Sequence, residues 1–205
     1  MPTDQDILQC HIKSTGITET RLSDVGGLTY RCLGCSGTPS GREKWTHCFE
    51  DVTAILFVVS LADYDQMPSA DKTRTSIQES LDLFNSICKS RWLEKTPIVL
   101  IFNKMDLFNR KVFKSPVQSY FPDCPYPTYR GGRGDIDVAR NYFLNKFLSC
   151  NKDSERQFYH HFTTATTDAS LAKNIVIDVN DALICWSVTL SLDNGRSTSV
   201  RLLGS

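Results

Sequence analysis

Two short polar clusters stand directly after apolar runs, and their side chains are of kinds that bind rather than pack. Asn103-Lys104-Met105-Asp106 follows Thr96 to Phe102 (TPIVLIF), and Thr164-Ala165-Thr166-Thr167-Asp168 follows Gln157 to Thr163 (QFYHHFT). An amide, an ammonium and a carboxylate within four positions supply donors and acceptors for a polar ligand. A surface turn capped by Asn and Asp is the structural alternative. A further group, Cys32-Leu33-Gly34-Cys35 with His47-Cys48, has the ligand types of a zinc half-site, but its second pair is adjacent rather than spaced. His160 and His161 are neighbours on a strand-like run, so they point to opposite faces and cannot readily share a ligand.

The elements that position the first two clusters are legible. Thr53 to Leu61 (TAILFVVSL) and Thr96 to Phe102 are continuous apolar runs of the kind found in strands buried on both faces. Between them, Ile77, Leu81, Phe84 and Cys88, with Leu83 and Ile87 alongside, recur at helical spacing over Ser76 to Trp92. Strand, helix, strand in this order predicts a parallel pair with its crossover. The order continues with a helix over Asp135 to Ser149, a strand over Gln157 to Thr163 and a helix starting in Leu171 to Trp186. The expected class is α/β with a mostly parallel sheet flanked by helices. In such sheets ligands sit beyond the carboxyl ends of the strands, which is where both clusters fall.

Composition narrows the function. In 205 residues, 23 Lys plus Arg balance 23 Asp plus Glu, so no excess positive field draws the chain to nucleic acid or an acidic membrane. The longest apolar runs are far too short to cross a bilayer. Met1-Pro2-Thr3-Asp4 begins no secretory signal, and Pro2 excludes N-myristoylation, so an intracellular setting is expected. Eight cysteines are scattered through a chain with ample apolar residues for a core, and reduced thiols are expected. There is no internal repeat, low-complexity tract or charge block.

A strand followed by Asn-Lys-x-Asp, with Thr-x-Ala-Thr after the next strand, resembles the guanine-recognition pair of GTP-binding proteins. The carboxylate of Asp106 can accept from the ring N–H and exocyclic amine that guanine presents together and adenine lacks. Asn103 can bond the N7 side of the base, the Lys104 stem can cover its face, and the Ala165 amide can reach its oxygen. Lys44-Trp45-Thr46-His47-Cys48-Phe49-Glu50, Ser60 to Gln66 (SLADYDQ), Asn103 to Phe108 and Glu79-Ser80-Leu81 resemble, more narrowly, the alpha subunits of heterotrimeric G proteins of fungal type. The likeness runs from Pro2 to about Ile184 and implies a Ras-like GTPase fold over residues 1–186, with a divergent tail over 187–205.

The resemblance also shows what is altered. In the family a first strand, the Gly-rich phosphate loop and an inserted helical domain precede the point where this chain starts, and no Gly-x-x-x-x-Gly-Lys-Ser/Thr occurs in it. That loop supplies most of the anion binding, so affinity for a triphosphate is expected to be weak. The missing strand belongs between the strand near Leu28 to Leu33 and that at Thr53 to Leu61. The expectation is that those two strands close up or that the domain folds poorly.

By the same resemblance Leu8, Gln9, Cys10, His11, Ile12, Lys13 and Ser14 form the first switch, and Gly34, Cys35, Ser36, Gly37 and Thr38 the second. Asn103, Lys104, Met105, Asp106 and Ala165 complete the nucleotide site for GTP or GDP. Ser14 stands at the Mg²⁺-binding position. His11 replaces an arginine whose fixed positive fork stabilises the transferring phosphoryl group, and Thr38 replaces the glutamine that orients the attacking water. Both catalytic positions are therefore degenerate, and any GTPase activity is expected to be impaired. Gly34 replaces an aspartate that steadies Mg²⁺ through water. Asp24-Val25-Gly26-Gly27 mimics the second-switch motif, but it follows Gly16 too closely and reads as a hairpin turn.

The partners implied are a beta-gamma dimer, a G-protein-coupled receptor and an effector such as adenylate cyclase, at the inner face of the plasma membrane. The tail after Ile184 does not resemble the receptor-contacting end of the family. A binding module that keeps partner surfaces without nucleotide turnover is the alternative. Trp45, beside Arg42, Glu43 and Lys44, is the expected interface aromatic, whereas Phe49 and Trp92 are as well explained by core packing.

Overall fold

Seven residues, Ala54–Ser60, carry Ile, Leu, Phe and two Val in succession, and six residues, Ile98–Asn103, repeat the pattern. Side chains that apolar on both faces of a strand must be covered twice, which places the two strands inside a sheet. They form β3 and β4 of a computed structural model that describes residues 3, 17–25, 28–36, 52–67, 73–125, 133–153, 156–164, 177, 180–181 and 199–204, with backbone alone for 22–25, 28–29, 36, 133–134 and 199–204. The other strands are β1 (Ile17–Val25), β2 (Leu28–Ser36), β5 (Phe158–Phe162) and β6 (Ser199–Gly204). The described helices are α1 (Ser76–Cys88), α2 (Met105–Lys111) and α3 (Arg133–Leu148), with single 3-10 turns at Leu61–Asp63, Arg91–Leu93 and Val117–Ser119.

The six strands form one sheet in the order β1-β2-β6-β3-β4-β5. β3, β4 and β5 run parallel, with Val58 opposite Ile101 and Ile101 opposite His161. β1 and β2 are antiparallel, with Ile17 opposite Cys35 and Val25 opposite Leu28. Only two residues join them, in agreement with the hairpin read at Asp24 to Gly27 and not with a second-switch motif there.

The sheet departs from expectation at its centre. β2 and β3 neither close up nor leave a gap, because β6 lies between them and pairs in parallel with both. A central gap would strand two rows of buried N–H and C=O groups, each costing about 1–3 kcal/mol when unsatisfied. Six residues from the segment read as a divergent tail remove that cost.

The helices follow from their sequences. Thr75 caps α1: its hydroxyl accepts from the Gln78 amide, and the Gln78 side chain accepts in return from the Thr75 amide at 2.8 Å. α1 buries Ile77 and Phe84 of the expected stripe together with Leu83 and Ile87, leaves Leu81 and Cys88 only partly buried, and ends at Cys88, short of the expected Trp92. All three helices pack onto one face of the sheet, where Phe57, Phe84, Phe102 and Phe147 are fully buried. Their rings meet mostly edge to face, with centroids 5.0 Å apart for Phe57 and Phe84 and 5.4 Å for Phe102 and Phe147. The opposite face carries a smaller cluster of Tyr30, Cys32, Leu56, Val99 and Ile101. There the Tyr30 hydroxyl donates to Asn180; the rest of the helix expected over Leu171 to Trp186 lies outside the described residues, apart from 177 and 181.

Candidate guanine-recognition edge

Parallel pairing brings the carboxyl ends of β3, β4 and β5 to one edge, with Ser60 registered opposite Asn103. At the end of β4 the chain turns sharply. Lys104 adopts a left-handed conformation (φ 59°, ψ 38°) and is the only described non-glycine residue at positive φ. The turn is held locally, because the Asn103 side-chain oxygen accepts from the Lys104 amide at 2.7 Å. It is also held across strands: the Thr163 amide donates to the Phe102 carbonyl at 2.8 Å, and the Met105 amide donates to the Thr163 carbonyl at 3.1 Å. The chain leaving β5 at Thr163 is thus held beside the first polar cluster through backbone bonds, which no side-chain exchange removes directly; of the second cluster only Thr164 is described.

Beneath this turn the packing is apolar. Met105 and Phe108 are buried, and the Phe108 ring meets Tyr64 and Phe143. Asp106 projects from the first turn of α2 with its carboxylate about half exposed, and its Oδ2 lies 3.2 Å from an Arg110 guanidinium nitrogen. The Lys104 ammonium lies 3.6 Å from Asp63 in the loop after β3. Lys111 bridges to the same loop, donating at 2.6 Å to both the Ala62 carbonyl and Asp65. Burial works to raise the Asp65 carboxyl pKa, but hydrogen bonds from Lys111 and Gln66 outweigh it and hold the group below its ordinary range. Two hydroxyls at this edge, Ser60 Oγ and Thr163 Oγ1, are buried without a hydrogen-bond partner among the described residues. The edge therefore presents an exposed carboxylate, a fixed amide and an ammonium over an apolar floor, a set able to bind a flat polar ring.

The sequence singled out Asn103, Lys104, Met105 and Asp106, and the structure brings them together. It adds Asp63, Arg110 and the Thr163 carbonyl, which the sequence reading missed. Arg110 was open to reading, since Asp and Arg four apart on a helix are neighbours. The contact from Asp63 joins loops after different strands and leaves no local signal. Ala165, Gly37, Thr38 and the whole run Leu8 to Ser14 lie outside the described residues.

Gly34 and Cys35 lie within β2, near its end at Ser36. A Cβ at Gly34 would stand 2.7 Å from the Thr18 hydroxyl on β1, so the glycine permits the close approach of those strands. An aspartate has no room there without moving Thr18, and Gly34 has no side-chain ligand to offer a metal. Among the described residues no group of three or more His, Cys, Asp or Glu could hold a metal ion, and Ser14, the position the resemblance implies for Mg²⁺, lies outside them, so no step is assigned to that ion. The zinc alternative has no geometric basis either. Cys32 and Cys35 are buried in the two different core clusters, one on each face of the sheet.

Comparison with known proteins decides the family. The model for the G-protein alpha subunit matches residues 1–183. The chain belongs to the G-protein alpha subunit family. Relatives in Emericella nidulans and Cryphonectria parasitica, each named guanine nucleotide-binding protein subunit alpha, are 47% identical over 184 residues. The guanine nucleotide-binding protein alpha-1 subunit of Neurospora crassa is identical to the same extent. In each case the match covers 90% of this chain and 50% of the relative, so the chain spans about half the length of these alpha subunits. Membership implies a Ras-like GTPase fold, and the parallel arrangement of β3, β4 and β5 with their helices agrees with it.

Proposed function

We propose that this alpha-subunit chain binds a guanine nucleotide, GDP or GTP, through the edge formed by Asn103, Lys104, Asp106 and the segment after β5. In this reading Asp106 selects guanine over adenine, the Asn103 amide meets the N7 side, the Lys104 stem lies on the base and the Ala165 amide meets the base oxygen. The observation that supports it is the pair of backbone bonds from Thr163 to Phe102 and from Met105 to Thr163, which hold the chain leaving β5 beside the turn after β4. The names of the relatives, all guanine nucleotide-binding alpha subunits, support the same ligand.

The role that follows is signal transduction within a heterotrimeric G protein, with a beta-gamma dimer, a receptor and an effector such as adenylate cyclase as partners. The place of action is the cytoplasmic side of the membrane, reached through those partners; no described helix is long and apolar enough to cross a bilayer. Turnover of GTP by this chain is slow in this reading, because His11 and Thr38 offer neither the cationic fork nor the reach of an arginine and a glutamine.

Titration of the full chain with a fluorescent GDP analogue, beside the matching ADP analogue, tests the assignment. The expected result is weak, guanine-selective binding that Asp106→Ala removes. Equal binding of the two analogues, or an Asp106→Ala chain that binds as the parent does, overturns it.

A further inference from the structure

We propose that the space between β2 and β3 is a strand-acceptor site, and that its ligand class is an extended peptide lying parallel to both walls, a place this chain fills with its own residues 199–204. The proposal is independent of nucleotide binding.

Three observations carry it. β6 pairs with both neighbours along almost its whole length: Ser199 to Gly204 against Arg31 to Ser36 on one side, and Val200 to Gly204 against Ala54 to Val58 on the other. A strand so placed is bound on two sides, unlike a peptide added to a sheet edge. Each wall also has a second strand partner, although β2 reaches β3 in the sheet only through β6. β2 is paired to β1 and β3 to β4, and Ile55 and Phe57 on the β3 wall are fully buried.

The third observation is distance. Neighbouring strands lie about 4.8 Å apart, so walls that flank one strand stand roughly 9.6 Å apart and cannot hydrogen-bond directly. The acceptor rows of β2 and β3 therefore need a third backbone. That backbone comes from the far end of the sequence: Ser199 pairs with Arg31, and Asp181 is the last described residue before β6. Contacts of such long range carry a large loop-closure entropy and slow folding. When the link to residues 199–204 is cut, the walls take the same strand supplied as a separate peptide.

The experiment uses the full chain with a protease site placed within residues 187–196, cut after folding. The expected result is that the released tail stays with the body in native gel filtration. Unfolding the cut protein in urea with excess labelled peptide of residues 197–205, then diluting, should yield body carrying one label per chain. A peptide with Leu202→Pro, which loses a ladder N–H, should not be taken up. In the uncut chain, the amides of 199–204 should exchange hydrogen as slowly as those of β3.

Separation of the cut tail under native conditions overturns the proposal. So does equal uptake of the proline peptide, or failure of the cut body to recover with peptide under conditions in which the uncut chain recovers. Tail amides that exchange at the rate of an unfolded chain would also overturn it.

Discussion

Arg110 sits one helical turn after Asp106 and holds its carboxylate at 3.2 Å, while its Nε donates to the Asp106 backbone carbonyl at the same distance. The acid proposed to read guanine therefore already has a cationic partner, and a base must compete with it. Arg110 is largely exposed and Asp106 about half exposed, so the pair is worth at most about 1 kcal/mol. Arg110→Ala should then raise affinity for a fluorescent GDP analogue by about two- to fivefold, with no gain for the ADP analogue. A weaker binder would show that the guanidinium contributes to the site rather than occupying it.

Asp65 and Lys111 tie the loop after β3 to the helix that carries Asp106. The folded state holds the Asp65 carboxyl pKa below its ordinary 3.8, so protonation favours unfolding. The stability contributed is complete above the unfolded value, and it is lost as pH falls through the lower folded one. At neutral pH, Asp65→Asn should lower unfolding free energy by about 1–3 kcal/mol, since a charge-assisted bond in a half-buried setting is removed. Urea unfolding at pH 7 and again near pH 3 checks the sign: the gap between parent and variant should narrow in acid.

How far the sequence leads depends on the range of the interactions involved. β3, β4, α1 and β5 are written in local periodicity, and the structure keeps them with boundary shifts of a few residues. β6 is different. Its Ser-Val-Arg-Leu-Leu-Gly is short and follows a polar turn, and only partners more than a hundred residues away make it a central strand. Trp92 was equally ambiguous. It falls after the C-cap of α1 and is 66% exposed, with Arg91 stacked 4.8 Å from its ring. The core at that point is closed by Leu93 instead.

Arg156 closes the opposite end of the sheet from the candidate site. It is 6% exposed, and its guanidinium donates to the carbonyls of Glu94 at 2.7 Å and Leu93 at 2.8 Å. These carbonyls belong to the turn that leads into β4, so the arginine joins the starts of β4 and β5. Arg156→Lys should not restore what Arg156→Ala loses, because an ammonium cannot present the same planar fork. Both variants should lose about 1.5–3 kcal/mol in urea unfolding, the range for hydrogen bonds made by a charged group. Full rescue by lysine would mean that charge alone matters there.

Phe147 is the point where α3 meets the sheet. Its ring is fully buried and lies 5.3 Å from Phe84 on α1, 5.4 Å from Phe102 on β4 and 6.3 Å from Phe57 on β3. Removing it leaves a cavity bounded by three rigid rings, which cannot collapse easily, so Phe147→Ala should cost about 3–5 kcal/mol. Trp92→Ala deletes a larger side chain yet should change stability by less than about 0.5 kcal/mol, because most of that ring is in water. Urea unfolding of the two variants beside the parent separates size from burial. A loss at Trp92 comparable with that at Phe147 would require the indole to be covered in solution, by a partner or a second copy.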